Sequence, residues 1–138
     1  MEPSENMIVD IPNSRARFFG CSGKMLLPSA STVTALIQKI PQGSLITTYQ
    51  LRVVLANQFN VQAACPVTIM KALKEIAQTP NTNIPYWRVI KKNGELIAAF
   101  PGGVEHHAEH LRMEGFSIGG IGKKQTVINF IESLLHSE

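Results

Sequence analysis

The chain has 138 residues, 44% hydrophobic and 17% charged, which suits one compact domain able to bury its own core. No run approaches the ~18 uninterrupted apolar residues needed to cross a bilayer. The acidic start from Met1 to Asn6 lacks a secretory pattern, and Cys21 and Cys65 form no CxxC pair, so the cytosol is the expected compartment and no membrane is expected as partner.

Residues 1–30 carry no clear period. Arg15 to Phe19 is a candidate strand, broken afterwards by Gly20, Gly23 and Pro28. The first helix is expected over Ser31 to Ile40, because Val33, Leu36, Ile37 and Ile40 follow the i, i+3, i+4, i+7 pattern and Ser31 can cap it. A second helix fits Thr48 to Phe59, capped by Thr47 or Thr48, with Leu51, Val54, Leu55 and Phe59 facing inward. A third fits Pro66 to Ala77, with Ile69, Met70, Leu73, Ile76 and Ala77 inside and Thr68, Lys71, Lys74 and Gln78 outside. Gln78 to Asn83 is a loop. Trp87 to Lys91 and Glu95 to Ala99 then flank Lys92-Asn93-Gly94, and Asn-Gly between β-formers signals a hairpin. Glu105 to Met113 reads as a helix closed by Gly115. A flexible break follows at Gly119 to Gly122, and Lys123 to His136 is expected as a last amphipathic helix bearing Val127, Ile128, Ile131, Leu134 and Leu135 on one side.

The formal net charge of +3 conceals an asymmetry. Between Arg15 and Lys92 ten basic residues face Glu75 alone, while the stretches before and after this block are each net acidic by three. A basic block with acidic flanks points to a polyanion on one face, against the plainer reading of a solvated surface. Two helices joined by a loop, the second with a basic outer face and followed by a hairpin, match a helix-turn-helix with a wing.

Four pieces, in order, carry a family resemblance: Ile40-Pro41-Gln42-Gly43 with Ile46-Thr47-Thr48-Tyr49-Gln50-Leu51; Ile84-Pro85-Tyr86-Trp87-Arg88-Val89-Ile90; Asn93-Gly94 with Phe100-Pro101-Gly102-Gly103; and Leu111-x-x-Glu114-Gly115. Together they resemble the DNA-binding domain of the O6-alkylguanine-DNA alkyltransferases over about Thr32 to Ile118. The resemblance implies a mostly α fold with a small β-hairpin wing, a winged helix-turn-helix like the alkyltransferase C-terminal domain. It divides the chain into an N-terminal extension (1–30), the winged-helix domain (31–118) and a C-terminal helix (119–138). In the family the second piece reads Ile-Pro-Cys-His-Arg-Val-Val, and its cysteine accepts the alkyl group from a guanine flipped out of the duplex. Here Tyr86 replaces the cysteine and Trp87 the histidine. A thiolate nucleophile and its paired base are both missing, so self-alkylation is excluded and no enzyme activity is expected. The chain is similar to the alkyltransferase-like group, which binds alkylated guanine without repairing it, although in that group the second position stays histidine.

By this resemblance Tyr86, Trp87, Arg88, Phe100, Gly102, Gly103 and Glu114 line the former base pocket. Thr48, Tyr49, Arg52, Thr68, Lys71, Lys74, Lys91 and Lys92 face double-stranded DNA. The family's base-rotating tyrosine falls on Thr48 or Tyr49 according to register. Its intercalating arginine maps to about Ile69, so no arginine finger is found. Each residue also has a plainer reading: Trp87 a core anchor for the wing, the lysines a solvated face, Thr68 a cap. His106 and His110 stand i, i+4, a spacing able to bind zinc, but no nearby acid or thiol completes a set, so no metal and no cofactor are expected. Cys65 sits at a helix start, where a thiol is either activated or simply a small buried side chain.

The leading reading is a non-catalytic DNA-binding protein that senses alkylated or flipped bases in DNA repair, with repair proteins as further partners. The alternative is a module binding a protein or small ligand on a retired alkyltransferase scaffold. A third reading places an enzyme on Cys65 or the histidine cluster.

Overall fold

Three inward-facing stripes at helical spacing become the three helices that build most of the core. A computed structural model describes residues 6–13, 23–79 and 83–135; the strand expected over Arg15 to Phe19 lies outside them. Helix α1 spans Ala30–Ile37 and is capped by Ser29, two residues earlier than the expected Ser31 cap. The Ser29 hydroxyl accepts from the Thr32 amide at 3.3 Å. The helix stops at Ile37 rather than Ile40, yet Ile40 is still buried as the chain turns. Helix α2, Thr48–Gln58, follows Thr47, whose hydroxyl accepts from the Gln50 amide at 3.0 Å while the Gln50 side chain accepts from the Thr47 amide at 2.9 Å. That reciprocal pair is a capping box and fixes the start of the helix. Helix α3, Pro66–Gln78, opens on the proline and buries Ile69, Ala72, Leu73, Ile76 and Ala77. Lys71, Lys74 and Gln78 are exposed and Thr68 is half-buried, as the periodicity requires.

The first strands come from a region that reads as patternless. Strand β1 (Met7–Asp10) pairs antiparallel with β2 (Lys24–Leu27), and β2 pairs parallel with the two-residue β4 (Ala63–Ala64) between α2 and α3. Leu26 is fully buried in the main core, and Lys24 ion-pairs with Asp10 across the ladder.

Two expectations are corrected. The segments around Lys92-Asn93-Gly94 do not form a two-stranded hairpin. The turn itself forms, with the Gly94 amide donating to the Lys91 carbonyl at 2.8 Å and the Lys91 amide to the Glu95 carbonyl at 2.9 Å. However, β5 (Val89–Ile90) pairs parallel with β3 (Ile46–Thr47), and Glu95 bridges to Thr126. Val89 and Ile90 are both wholly buried, the mark of a strand covered on both faces rather than an alternating wing strand. The last expected helix, Lys123 to His136, is also replaced. Strand β6 (Ile118–Gly119), which ends on the first residue of the expected flexible break, pairs antiparallel with β7 (Thr126–Val127), and among the described residues of the segment only Phe130–Ser133 is α-helical (α5), with a 3-10 turn at Gly122–Lys124. Thr126, Val127 and Ile128 are a β-branched run, and Asn129 has a left-handed φ of 57°, so the helical spacing is overridden. Val127 is buried while Ile128 and Ile131 are exposed.

Between these lies α4, Gly103–Met113, starting two residues before expected. It closes with the Gly115 amide on the Arg112 carbonyl and the Phe116 amide on the Leu111 carbonyl, at 3.0 and 3.1 Å. Gly115 has φ +97°, the left-handed C′ glycine of a Schellman closure. Apolar side chains form two clusters, one around α1, α2 and α3, the other around Leu96, α4 and Val127, and Trp87 packs against both. The described residues are therefore mostly α with small sheets, and none of their helices is long and apolar enough to cross a membrane. Thr47→Ala removes one half of the capping box at a buried position, and is expected to lower unfolding free energy by about 1 kcal/mol, read from urea midpoints.

Candidate functional site

The site grows from the short 3-10 turn Tyr86–Arg88, which sits between Pro85 and the buried β5. Proline and the buried strand hold the turn at both ends, so its three side chains have fixed directions. Tyr86 points inward and is only 5% exposed. Its ring meets Phe100 edge-on at 4.9 Å between centroids and Trp87 at 5.2 Å. Burial raises the Tyr86 phenol above its ordinary value, so it stays neutral.

Trp87 and Arg88 converge on one carboxylate. The Trp87 indole N–H donates to Glu114 Oε2 at 2.7 Å. Arg88 Nε donates to both Glu114 oxygens, at 3.0 and 3.1 Å, and Nη2 to Oε2 at 2.9 Å. Arg88 Nη1 reaches the Ile40 carbonyl at 2.6 Å. Arg88 is thus committed to structure, and Trp87 combines an anchored edge with a half-buried ring.

The histidines of α4 supply what sequence spacing missed. His107 is 1% exposed, its Nδ1 accepting from the Ile97 amide at 3.0 Å and its Nε2 lying 2.8 Å from the Trp87 carbonyl. Since a carbonyl only accepts, Nε2 carries the proton, and burial lowers the His107 pKa to about 4 against the carbonyl's opposing pull. His110 stacks on Trp87 at 4.4 Å with planes 9° apart. Burial and then His106 depress its pKa, against the pull of Glu109 and Glu114. His106 stands edge-on to His110 at 4.7 Å. Among the described residues no group of three potential ligands is placed to hold a metal ion. Gly102 and Gly103 lie at the start of α4 with φ of +82° and +71°.

The expected DNA-facing residues divide by exposure. Lys71, Lys74, Lys91 and Lys92 are exposed, Arg52, Thr48 and Thr68 half-buried. Tyr49 is 47% exposed at the start of α2, with Lys92 Nζ 4.7 Å from its ring centroid, which joins the 91–94 turn to α2. Tyr49 and Arg52 share a groove with Val53, Ala56, Gln62 and Ala63. Ile69 is 2% exposed, so its position offers nothing to a duplex. Cys65 is half-buried at the cap position of α3 with no capping bond from its side chain.

A mostly α domain with small parallel pairings and a glutamate-bound turn is the alkyltransferase-like fold. The sequence matches the model of the 6-O-methylguanine DNA methyltransferase, DNA binding domain, over residues 28–116, and the chain belongs to that family. Two solved structures share the fold. S. pombe Atl1, in complex with damaged DNA containing O6-carboxymethylguanine, is 20% identical with a TM-score of 0.60, and S. pombe ATL in complex with DNA is 20% identical with a TM-score of 0.62. Each match covers 78% of this chain and 94% of the other. No curated protein matches the chain.

Two outcomes follow. Glu114→Ala strands a guanidinium whose side chain is 14% exposed, and is expected to cost about 3 kcal/mol in chemical denaturation. The unfolded chain takes up a proton near pH 6.5 that folded His107 refuses until about 4. Its contribution is complete above that upper value and is lost as pH falls through the window, by up to about 3 kcal/mol. His107→Gln, though less stable at pH 7, is expected to show a shallower decline between neutral and acidic urea melts.

Proposed function

We propose that this chain is a non-catalytic DNA-binding protein of the alkyltransferase-like kind, working in the cytosol on double-stranded DNA. The observation that carries the reading is the exposed basic set Lys71, Lys74, Lys91 and Lys92, on a helix and turn of a chain belonging to a DNA-binding-domain family. In this reading α2 and α3 act as the helix-turn-helix and the Lys91–Gly94 turn as the wing. Thr48, Tyr49, Arg52 and Thr68 meet the backbone beside the lysines. Two solved members of the fold being DNA complexes supports the choice of ligand. The resemblance adds repair proteins as a second class of partner.

The absence of an alkyl acceptor follows from chemistry. Tyr86 holds the nucleophile's place with a neutral, buried phenol, and Trp87 offers no basic nitrogen. His107, the nearest imidazole to the turn's backbone, has both ring nitrogens engaged. The base-sensing role implied by the resemblance requires an open pocket, which by the same resemblance Tyr86 and Phe100 would line.

Gel-shift titration on an unmodified duplex tests the reading. With about four phosphates neutralised, affinity is expected to fall by roughly two orders of magnitude between ~50 and ~200 mM salt. Lys71→Ala with Lys74→Ala is expected to flatten the log–log salt slope by about 2. Absence of a shift at low salt, or binding indifferent to salt, overturns it.

A further inference from the structure

We infer that this chain holds duplex DNA with every base left in the stack, so that O6-alkylguanine and guanine are bound alike. This rests on the DNA-binding reading above and names its ligand class. By the family resemblance a base turned out of the duplex would enter beside position 86, where it needs an open slot and contacts that offset the lost stacking. Here the slot is filled from inside by a continuous cluster of rings. Tyr86 is 5% exposed and meets Phe100, Trp87 and His110 edge-on at 4.9, 5.2 and 5.9 Å. His110 in turn lies flat against Trp87 and edge-on to His106.

The rim is covered on one side. A Cβ built on Gly102 would stand 2.5 Å from the Cβ of His106, while one on Gly103 would meet nothing within 4 Å, so the His106 side chain closes over the first glycine of the pair only. The polar groups of the turn are also spent. The indole N–H of Trp87 and the guanidinium of Arg88 both bind Glu114, leaving neither to read a base edge. Of the expected DNA-facing residues the four lysines and Tyr49 are exposed, and the lysines bind phosphate and carry no information about the base.

The test uses the full chain and two duplexes identical except for one O6-methylguanine, followed by fluorescence anisotropy at low salt. A second pair carries 2-aminopurine next to that position, whose emission rises when the neighbouring base leaves the stack. Equal Kd values within about twofold, with flat 2-aminopurine emission at saturation, are expected. A preference of about tenfold or more for the alkylated duplex, or a rise in emission, overturns the inference while leaving DNA binding intact. Binding to neither duplex removes the DNA reading and the inference with it. Tyr86→Ala should open the slot and gain a preference for the alkylated duplex; a folded variant that stays indifferent overturns the assignment of the block to Tyr86. Should that variant not fold, the wild-type emission measurement decides alone.

Discussion

The Glu114 carboxylate is the constraint on which the site depends. Its side chain is 10% exposed, and a carboxylate so removed from water is tolerable only when its oxygens are filled. Arg88 and Trp87 fill them with charge-assisted and neutral donors, and the same guanidinium reaches the Ile40 carbonyl beyond α1. One anion therefore clamps the end of α4, the 86–88 turn and the exit of α1. With its indole N–H tied, Trp87 presents its face to His110, and that pairing walls in Tyr86.

The same clamp holds a turn whose side chains are packed. A nucleophilic site needs a reactive atom reachable from outside. A packed site needs only volume, and Tyr86, 5% exposed among aromatic rings, supplies it. His107 serves the second purpose too, bridging the Trp87 carbonyl and the Ile97 amide as a neutral ring. The Tyr86 ring meets Phe100 and Trp87 edge-on at 4.9 and 5.2 Å, so aromatic edges fill the space around the turn.

What the sequence disclosed, and what it did not, follows from the range of the interactions. Helices α2 and α3 were legible because their stripes, the Thr47 cap and Pro66 are local signals. The strands are two to four residues long, too short for alternation to appear, and each is defined by a distant partner. Asn93-Gly94 correctly marked a turn, but tertiary pairing with Ile46–Thr47 and Thr126 took the strands elsewhere. Motif resemblance grouped Tyr86, Trp87, Phe100 and Glu114, and the structure brings them together through ring contacts and the Trp87–Glu114 hydrogen bond. The histidines were not legible, since i, i+4 spacing names a shared helix face and says nothing of the indole that covers it.

The pairing of Leu45 with the last described segment has a consequence for how the chain is made. The Leu45 amide donates to the Ser133 carbonyl at 2.8 Å, the Leu135 amide to the Leu45 carbonyl at 2.7 Å, and the Gln50 side chain to the Leu135 carbonyl at 2.9 Å. Gln50 is also half of the capping box that starts α2. The entry to α2 is thus completed by a residue synthesised about 85 positions later. On a ribosome the contacts among α1, α2 and α3 can form early, while the second cluster stays open until Val127 to Leu134 have emerged. The apolar surface of Leu45, Ile90 and Leu96 is exposed throughout that interval. It is the stretch of biosynthesis in which this small domain is most open to aggregation and most in need of a chaperone.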